Sequence, residues 1–316
     1  MSAMKRAWPV GVLLMAYGTP ARPEDVEAFY TDVRGGRPPG PEQLADLQRR
    51  YAAVGGISQM AARTAEQVAG VQAALDAIAP GEFSCRFGAK HADPSIEEAV
   101  EAMRADGIRR FVALTFAPHY SAGSVGEYLA RARRAAERRA MSLGVIEDWH
   151  DHPVLIDLLA GRVVTAFAAL GKEPTDPSIE LLVTAHSLPL RILEGGDGYD
   201  RRLQETAELV VASTGTTRWR VCWQSAGRTP EPWLGPDLLA VLHQLPAEGI
   251  RGAVVCPAGF TSDHLEVSYD LDIEAKAVAE GLGLGFARTA SLNADGRLCE
   301  ALAGLVVNAV PGGREP

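Results

Sequence analysis

Residues 105–118 read ADGIRRFVALTFAP and residues 247–260 read AEGIRGAVVCPAGF. In both, a helix-ending Gly precedes Ile-Arg, then a short apolar run, then Pro and small residues at the point where a buried strand would stop. A second pair repeats the relation. LLMAYGTP at 13–20 matches LLVTAHSLP at 181–189, which sets Tyr17 opposite His186 at equivalent strand ends. His186 follows Tyr17 by 169 residues, whereas Gly249 follows Gly107 by 142, so the first half carries 27 more residues between its echoes. The Gly/Pro-rich block at 33–58, VRGGRPPGPEQLADLQRRYAAVGGIS, is the place to put them.

Between the echoes, short apolar runs alternate with amphipathic segments. Strands are expected at 10–17, 83–90, 110–117, 179–186, 219–224 and 252–259. Buried runs alternating with helices imply parallel sheets covered on both faces, with chemistry gathered at the C-terminal strand ends. The fold class is therefore α/β with two similar halves. The first spans 1–150 and includes the insertion at 33–58. The second spans 151–295, and a final amphipathic segment, 296–316, is expected to pack back on the first.

A net charge of −9 argues against nucleic acid or an anionic membrane as partner. The one basic run, RARRAAERR at 131–139, has helical spacing and no interleaved aromatics, so it reads as a solvated helix face. No apolar stretch reaches 18 residues, and Pro9 and Gly11 break the run that follows Lys5 and Arg6, which reads as a first strand rather than a leader. Cys85, Cys222, Cys256 and Cys299 are scattered without a CxxC pair, as suits reduced thiols in the cytosol.

Two features carry chemistry. His186 ends an apolar strand, where an imidazole can act as a base or a metal ligand. The segment TSDHLEVSYDLDIEAK (261–276) is acidic. On a uniform helix Asp263, Glu266, Asp270 and Glu274 share an arc of about 80° beside an apolar stripe of Val267, Leu271, Ala275 and Val278, with His264 turned to the apolar side. Imidazole and carboxylate at neighbouring strand ends suit a first-row divalent ion. WHDHP at 149–153 is a rival metal motif.

Six segments in order, LLMAYGTP, FYTDVRGGRPP, RRYAAVGGIS, TAHSLP, WQSAGRTPEPWLGPDL and GFTSDHLEVSYDLDIEAK, resemble the ferrochelatases, in particular the coproporphyrin ferrochelatases of Gram-positive bacteria. The likeness runs over about residues 10–308. It implies two Rossmann-like domains of the class II chelatase fold with the active cleft between them, and insertion of Fe²⁺ into coproporphyrin III with release of two protons. It places His186 and Glu266 at the porphyrin centre, with the division of metal delivery and proton acceptance between them open. Tyr17 is implied as the axial oxygen ligand of the product iron. Arg34, Arg50, Ser58 and Tyr128 are implied as tetrapyrrole contacts, with Arg49 beside Arg50, and Asp270 and Glu274 as an outer cation position. The block at 33–58 matches the lip over the cleft.

The ending AGLVVNAVPGGREP leaves Cys299 alone, so no [2Fe–2S] cluster and no permanently bound cofactor is expected. The partners implied are coproporphyrin III, Fe²⁺ and, transiently, the next enzyme of heme synthesis. The expectation is a cytoplasmic monomer without stable membrane insertion. The rivals are a protoporphyrin IX ferrochelatase, a cobalt chelatase of corrinoid synthesis and a non-catalytic tetrapyrrole or metal carrier.

Overall fold

A computed structural model describes residues 9–227 and 229–312. Residues 1–8, Arg228 within the WQSAGRTPEPWLGPDL segment and residues 313–316 lie outside it. The first half runs β1 (Val10–Ala16), α1 (Val26–Val33), α2 (Pro41–Ala53), α3 (Met60–Ile78), β2 (Phe83–Ala89), α4 (Ile96–Ala105), β3 (Arg110–Thr115), α5 (Val125–Arg138) and β4 (Ser142–Ile146). The second half follows with α6 (Pro153–Ala169), β5 (Ile179–His186), α7 (Tyr199–Thr214), β6 (Trp219–Gln224), α8 (Leu238–Gln244), β7 (Gly252–Cys256), α9 (Leu265–Ser268), α10 (Lys276–Gly281) and β8 (Gly285–Arg288). α11 (Gly296–Asn308) closes the chain and packs on α3 and α6.

The internal echo is a repeat of topology. The sheets have the orders β2-β1-β3-β4 and β6-β5-β7-β8, and every pairing is parallel. Each echoed sequence pair therefore occupies the same place in its sheet, β1 with β5 and β3 with β7. Between β1 and β2 the first half carries α1 and α2, which have no counterpart between β5 and β6. The extra matter thus begins before residue 33 and includes α1.

Strand alternation divides the core. Val10, Val12 and Leu14 of β1 face a cluster that also takes in Leu181 and Val183 of β5, Val254 of β7, Phe167 of α6 and Leu302 of α11. One continuous apolar body thus joins the two halves. Leu13 and Met15 turn to the opposite face, against α4 and α5, and Leu182 and Val255 face α8 and the segment around Leu271. Charged residues of α5 meet partners on the outer face: Arg131 pairs with Glu97 at 2.5 Å and Arg133 with Glu147 at 2.6 Å, as a solvated basic face should.

WHDHP is not a metal site. His150 binds Asp148 through Nδ1 at 2.5 Å and Glu205 of α7 through Nε2 at 3.0 Å, while Nδ1 of His152 accepts from Val154 N at 3.2 Å and caps α6. The motif ties the end of the first half to α7. Burial works to lower the His150 pKa, but the two carboxylates outweigh it and raise it. A raised folded-state pKa means that the contribution of His150 to stability is fully present below about pH 6.5, the unfolded value, and is lost as pH rises through the folded one. Chemical denaturation of wild type and His150→Asn should therefore give a stability gap that is larger at about pH 6 than at about pH 9. A gap that widens toward alkaline pH would contradict the assignment.

Candidate active site

The C-terminal ends of β1, β3, β5 and β7 open on one cleft of about 520 Å³, within the range of small-molecule sites. Its walls come from both halves and from α1 and α2, which form a lip. Gly259 makes this convergence possible. Its N–H donates to the Thr184 carbonyl at 3.0 Å, and a Cβ there would stand 2.4 Å from Ala185 Cβ and 2.8 Å from Ala185 Cα. Only glycine lets the chain leaving β7 press against the end of β5, one residue before His186.

His186, the last residue of β5, donates from Nδ1 to the Ser187 carbonyl, which leaves Nε2 facing Glu266 Oε1 at 3.5 Å. Glu266 sits in α9, and its carbonyl accepts from Gln224 Nε2 at 3.0 Å. Gln224 Oε1 in turn accepts from Thr184 Oγ1 at 2.8 Å. The strands that carry the imidazole thus also hold the helix that carries the carboxylate. The hydroxyl of Tyr199 donates to the His186 carbonyl at 3.0 Å. Burial would depress the His186 pKa, but the Glu266 carboxylate and the Ser187 carbonyl raise it. For Glu266 burial pushes up, and the His186 and His264 imidazoles pull it down to about 2. An ion bonded at ~2.1 Å to both Nε2 and Oε1 would subtend an angle of about 110° at this separation. Two donors, rather than a closed cage, suit an ion that must be given up.

The acidic stripe does not survive in its simple form. Asp263 precedes the helix and is held by Ser291 Oγ at 2.7 Å, Asn293 Nδ2 at 2.9 Å and Arg288 at 3.3 Å. Residues 270–275 form a π turn, in which Glu274 N reaches back five residues to the Tyr269 carbonyl at 3.0 Å. The wider turn separates two residues expected on one face. Asp270 is buried, in an ion pair with Arg50 and hydrogen-bonded by Ser225 Oγ, whereas Glu274 is exposed. His264 was placed on the apolar side. Instead, with φ −152°, it is the extended N-cap of α9; its Nδ1 accepts from Val267 N at 3.3 Å, and its Nε2 lies 3.9 Å from Glu266 Oε2, in the cleft wall. Reading S-D-H before L-E-V as a cap would have found it, since a cap residue does not obey the helical wheel.

Tyr17, Arg50, Ser58, Tyr128, His186 and Glu266 all line the cleft. The ring of Tyr17 stands edge-on to His91 at 4.7 Å, and burial together with Glu266 pushes its hydroxyl pKa up. Arg34 is not in the wall. Its guanidinium donates to the Arg37 carbonyl at 3.2 Å and lies 5.6 Å from the ring of Tyr30, which is. Arg49 turns outward to Asp46 instead of joining Arg50. Lys90 escaped the sequence reading; it lines the cleft, paired with Glu127 and 5.4 Å from the Tyr128 ring.

The ferrochelatase family model matches residues 9–310. The chain belongs to the ferrochelatase family. Curated relatives include the coproporphyrin III ferrochelatase of Anoxybacillus flavithermus, 43% identical over 302 residues, which are 95% of this chain and 96% of that one. That of Bacillus subtilis (strain 168) is 40% identical over 301 residues, 94% and 97% of the two chains. Among solved structures, SirB from Bacillus subtilis with Fe³⁺ aligns over 96% of both chains at a TM-score of 0.58 and 12% identity. CbiX, described as the terminal enzyme of siroheme biosynthesis in denitrifying bacteria, covers 95% of this chain and 99% of its own at 0.54 and 15%. These two share the class II chelatase fold. As a ferrochelatase-family member the protein is a metal-inserting enzyme, and no described helix is long and apolar enough to cross a membrane.

Proposed function

We propose that this enzyme inserts Fe²⁺ into coproporphyrin III, giving coproheme and two protons in heme biosynthesis. The observation that carries the reading is the His186–Glu266 pair, 3.5 Å apart on one wall of a cleft whose other walls hold Tyr17, Tyr128 and the lip. Relatives at 40–43% identity over nearly the whole chain bear that activity in their names.

A planar macrocycle turns its nitrogen lone pairs inward and keeps two N–H protons, so insertion needs an ion presented on one face and acceptors for the protons. His186, with Nδ1–H spent on Ser187, has only Nε2 to offer. The Glu266 carboxylate beside it favours a proton on that nitrogen, against the effect of burial. The incoming cation displaces this proton and binds between imidazole and carboxylate. Once it passes into the ring, the vacated Nε2 and Oε1 are an acceptor set for the protons expelled from the pyrroles. Tyr17, which also lines the cleft, would serve as an oxygen ligand for the product iron on giving up its phenolic proton. Arg50, Ser58 and Tyr128 supply polar contacts to the macrocycle, with Arg34 at the lip. Asp270 and Glu274 mark the outward side of the metal path.

We read the reaction as one without a resident [2Fe–2S] cluster; the four cysteines stand on four separate elements, β2, β6, β7 and α11. We read the enzyme as a cytoplasmic monomer that hands its product to the next enzyme of the pathway by transient contact.

An anaerobic steady-state assay pairing coproporphyrin III and protoporphyrin IX with Fe²⁺, Zn²⁺ and Co²⁺ tests the proposal. Fe²⁺ with coproporphyrin III is expected to turn over at least about tenfold faster than Fe²⁺ with protoporphyrin IX. The reverse order would reassign the substrate, and porphyrin binding without turnover of any metal would favour a carrier.

A further inference from the structure

α9 spans only Leu265–Ser268, about one turn, and a single turn does not fix its own direction. The aim of the Glu266 carboxylate is therefore set by what holds the chain around it. Gln224 holds the Glu266 carbonyl. The approach from β7 is gripped by Asn293, in the loop that follows β8. Its N–H donates to the Thr261 carbonyl at 2.7 Å, its Oδ1 accepts from Asp263 N at 3.0 Å, and its Nδ2 donates to Asp263 Oδ2 at 2.9 Å. One residue thus clamps positions 261 and 263, directly before the His264 cap and Glu266. The clamp needs an unusual backbone. Asn293 has φ +47°, in the left-handed region that asparagine tolerates better than most side chains.

The clamp is itself tied to the other half. The Asn293 carbonyl accepts from Nε2 of Gln67 in α3 at 3.2 Å, and the same Nε2 reaches Thr261 Oγ1 at 3.4 Å. That hydroxyl donates to the Phe116 carbonyl, just beyond β3, at 2.9 Å. Gln67 is 1% exposed, and its Oε1 has no hydrogen-bond partner among the described residues. An unpaired buried oxygen is a cost that an apolar side chain would avoid, which points to a use for the donor side of this amide. Through these bonds the carboxylate of the second half is registered against the half that carries Tyr17.

We propose that Asn293 is a positioning residue for metal insertion: with Gln67 it sets where the Glu266 carboxylate stands relative to His186 and to the first half. This rests on the reading of His186 and Glu266 as the metal-handling pair.

The test uses full-length enzyme with Fe²⁺ and coproporphyrin III in anaerobic steady state. Asn293→Gly keeps the left-handed backbone and removes the side-chain clamp. It should lower kcat about tenfold, with KM for the porphyrin within about twofold of wild type. Asn293→Asp has the same shape but sets a second carboxylate oxygen against Asp263, and should be slower still. Gln67→Met should behave as Asn293→Gly does. The deciding readout is a cycle with Glu266→Gln. Residues that act through that carboxylate have little left to lose once it is gone, so adding Asn293→Gly or Gln67→Met to Glu266→Gln should slow it by less than about twofold. Losses that multiply in the double variants, or an unchanged kcat in both Asn293→Gly and Gln67→Met, overturn the proposal. A wild-type rate in Glu266→Gln alone instead overturns the reading of the pair on which the proposal depends.

Discussion

Replacing His186 by alanine should abolish iron insertion, by about a thousandfold or more, while coproporphyrin III binds with an affinity within a few-fold of wild type. The variant loses the imidazole nitrogen that lies 3.5 Å from Glu266 Oε1, and with it both a metal ligand and a proton acceptor. The macrocycle keeps most of its contacts, because Tyr17, Arg50, Ser58 and Tyr128 come from other elements of the wall. Anaerobic single-turnover absorbance and quenching of porphyrin fluorescence separate the two quantities. Loss of binding with turnover preserved would place the imidazole in substrate positioning rather than in metal handling.

Glu266→Gln should lower kcat by about a hundredfold with little change in KM for the porphyrin. The amide retains the shape of the side chain, and the Gln224 bond to the backbone carbonyl at 266 is untouched. What disappears is the negative charge that raises the His186 pKa and would balance a divalent ion. The imidazole of the variant is more often neutral, so metal still finds a nitrogen but no anion beside it. Wild-type rates in this protein would remove Glu266 from the mechanism.

What was legible in the residues followed from burial. β1, β3, β5 and β7 are central strands with dense apolar runs, and β2 and β6, though at sheet edges, keep enough apolar residues for their places to be read. β4 and β8 are edge strands, short and only partly buried, so SLGVI and GFAR carry no run that marks them. His186 and Glu266 were legible for a different reason, as an imidazole at the end of β5 and a carboxylate following the neighbouring strand β7. The errors cluster where a uniform helix of 100° per residue was laid over a segment that is first a cap and then a π turn. Asp263, His264 and Asp270 all point elsewhere than such a helix requires. Side-chain pairing between distant segments, Arg50 with Asp270 above all, leaves no local trace in either segment.

The apolar body shared by both sheets has a mechanical corollary. Walls anchored in one core cannot swing like jaws, so passage of a broad, rigid disc falls to α1 and α2, which are tied across the mouth by a few side chains. With the walls fixed, any widening of the mouth is expected from that small flap rather than from a movement of the two halves.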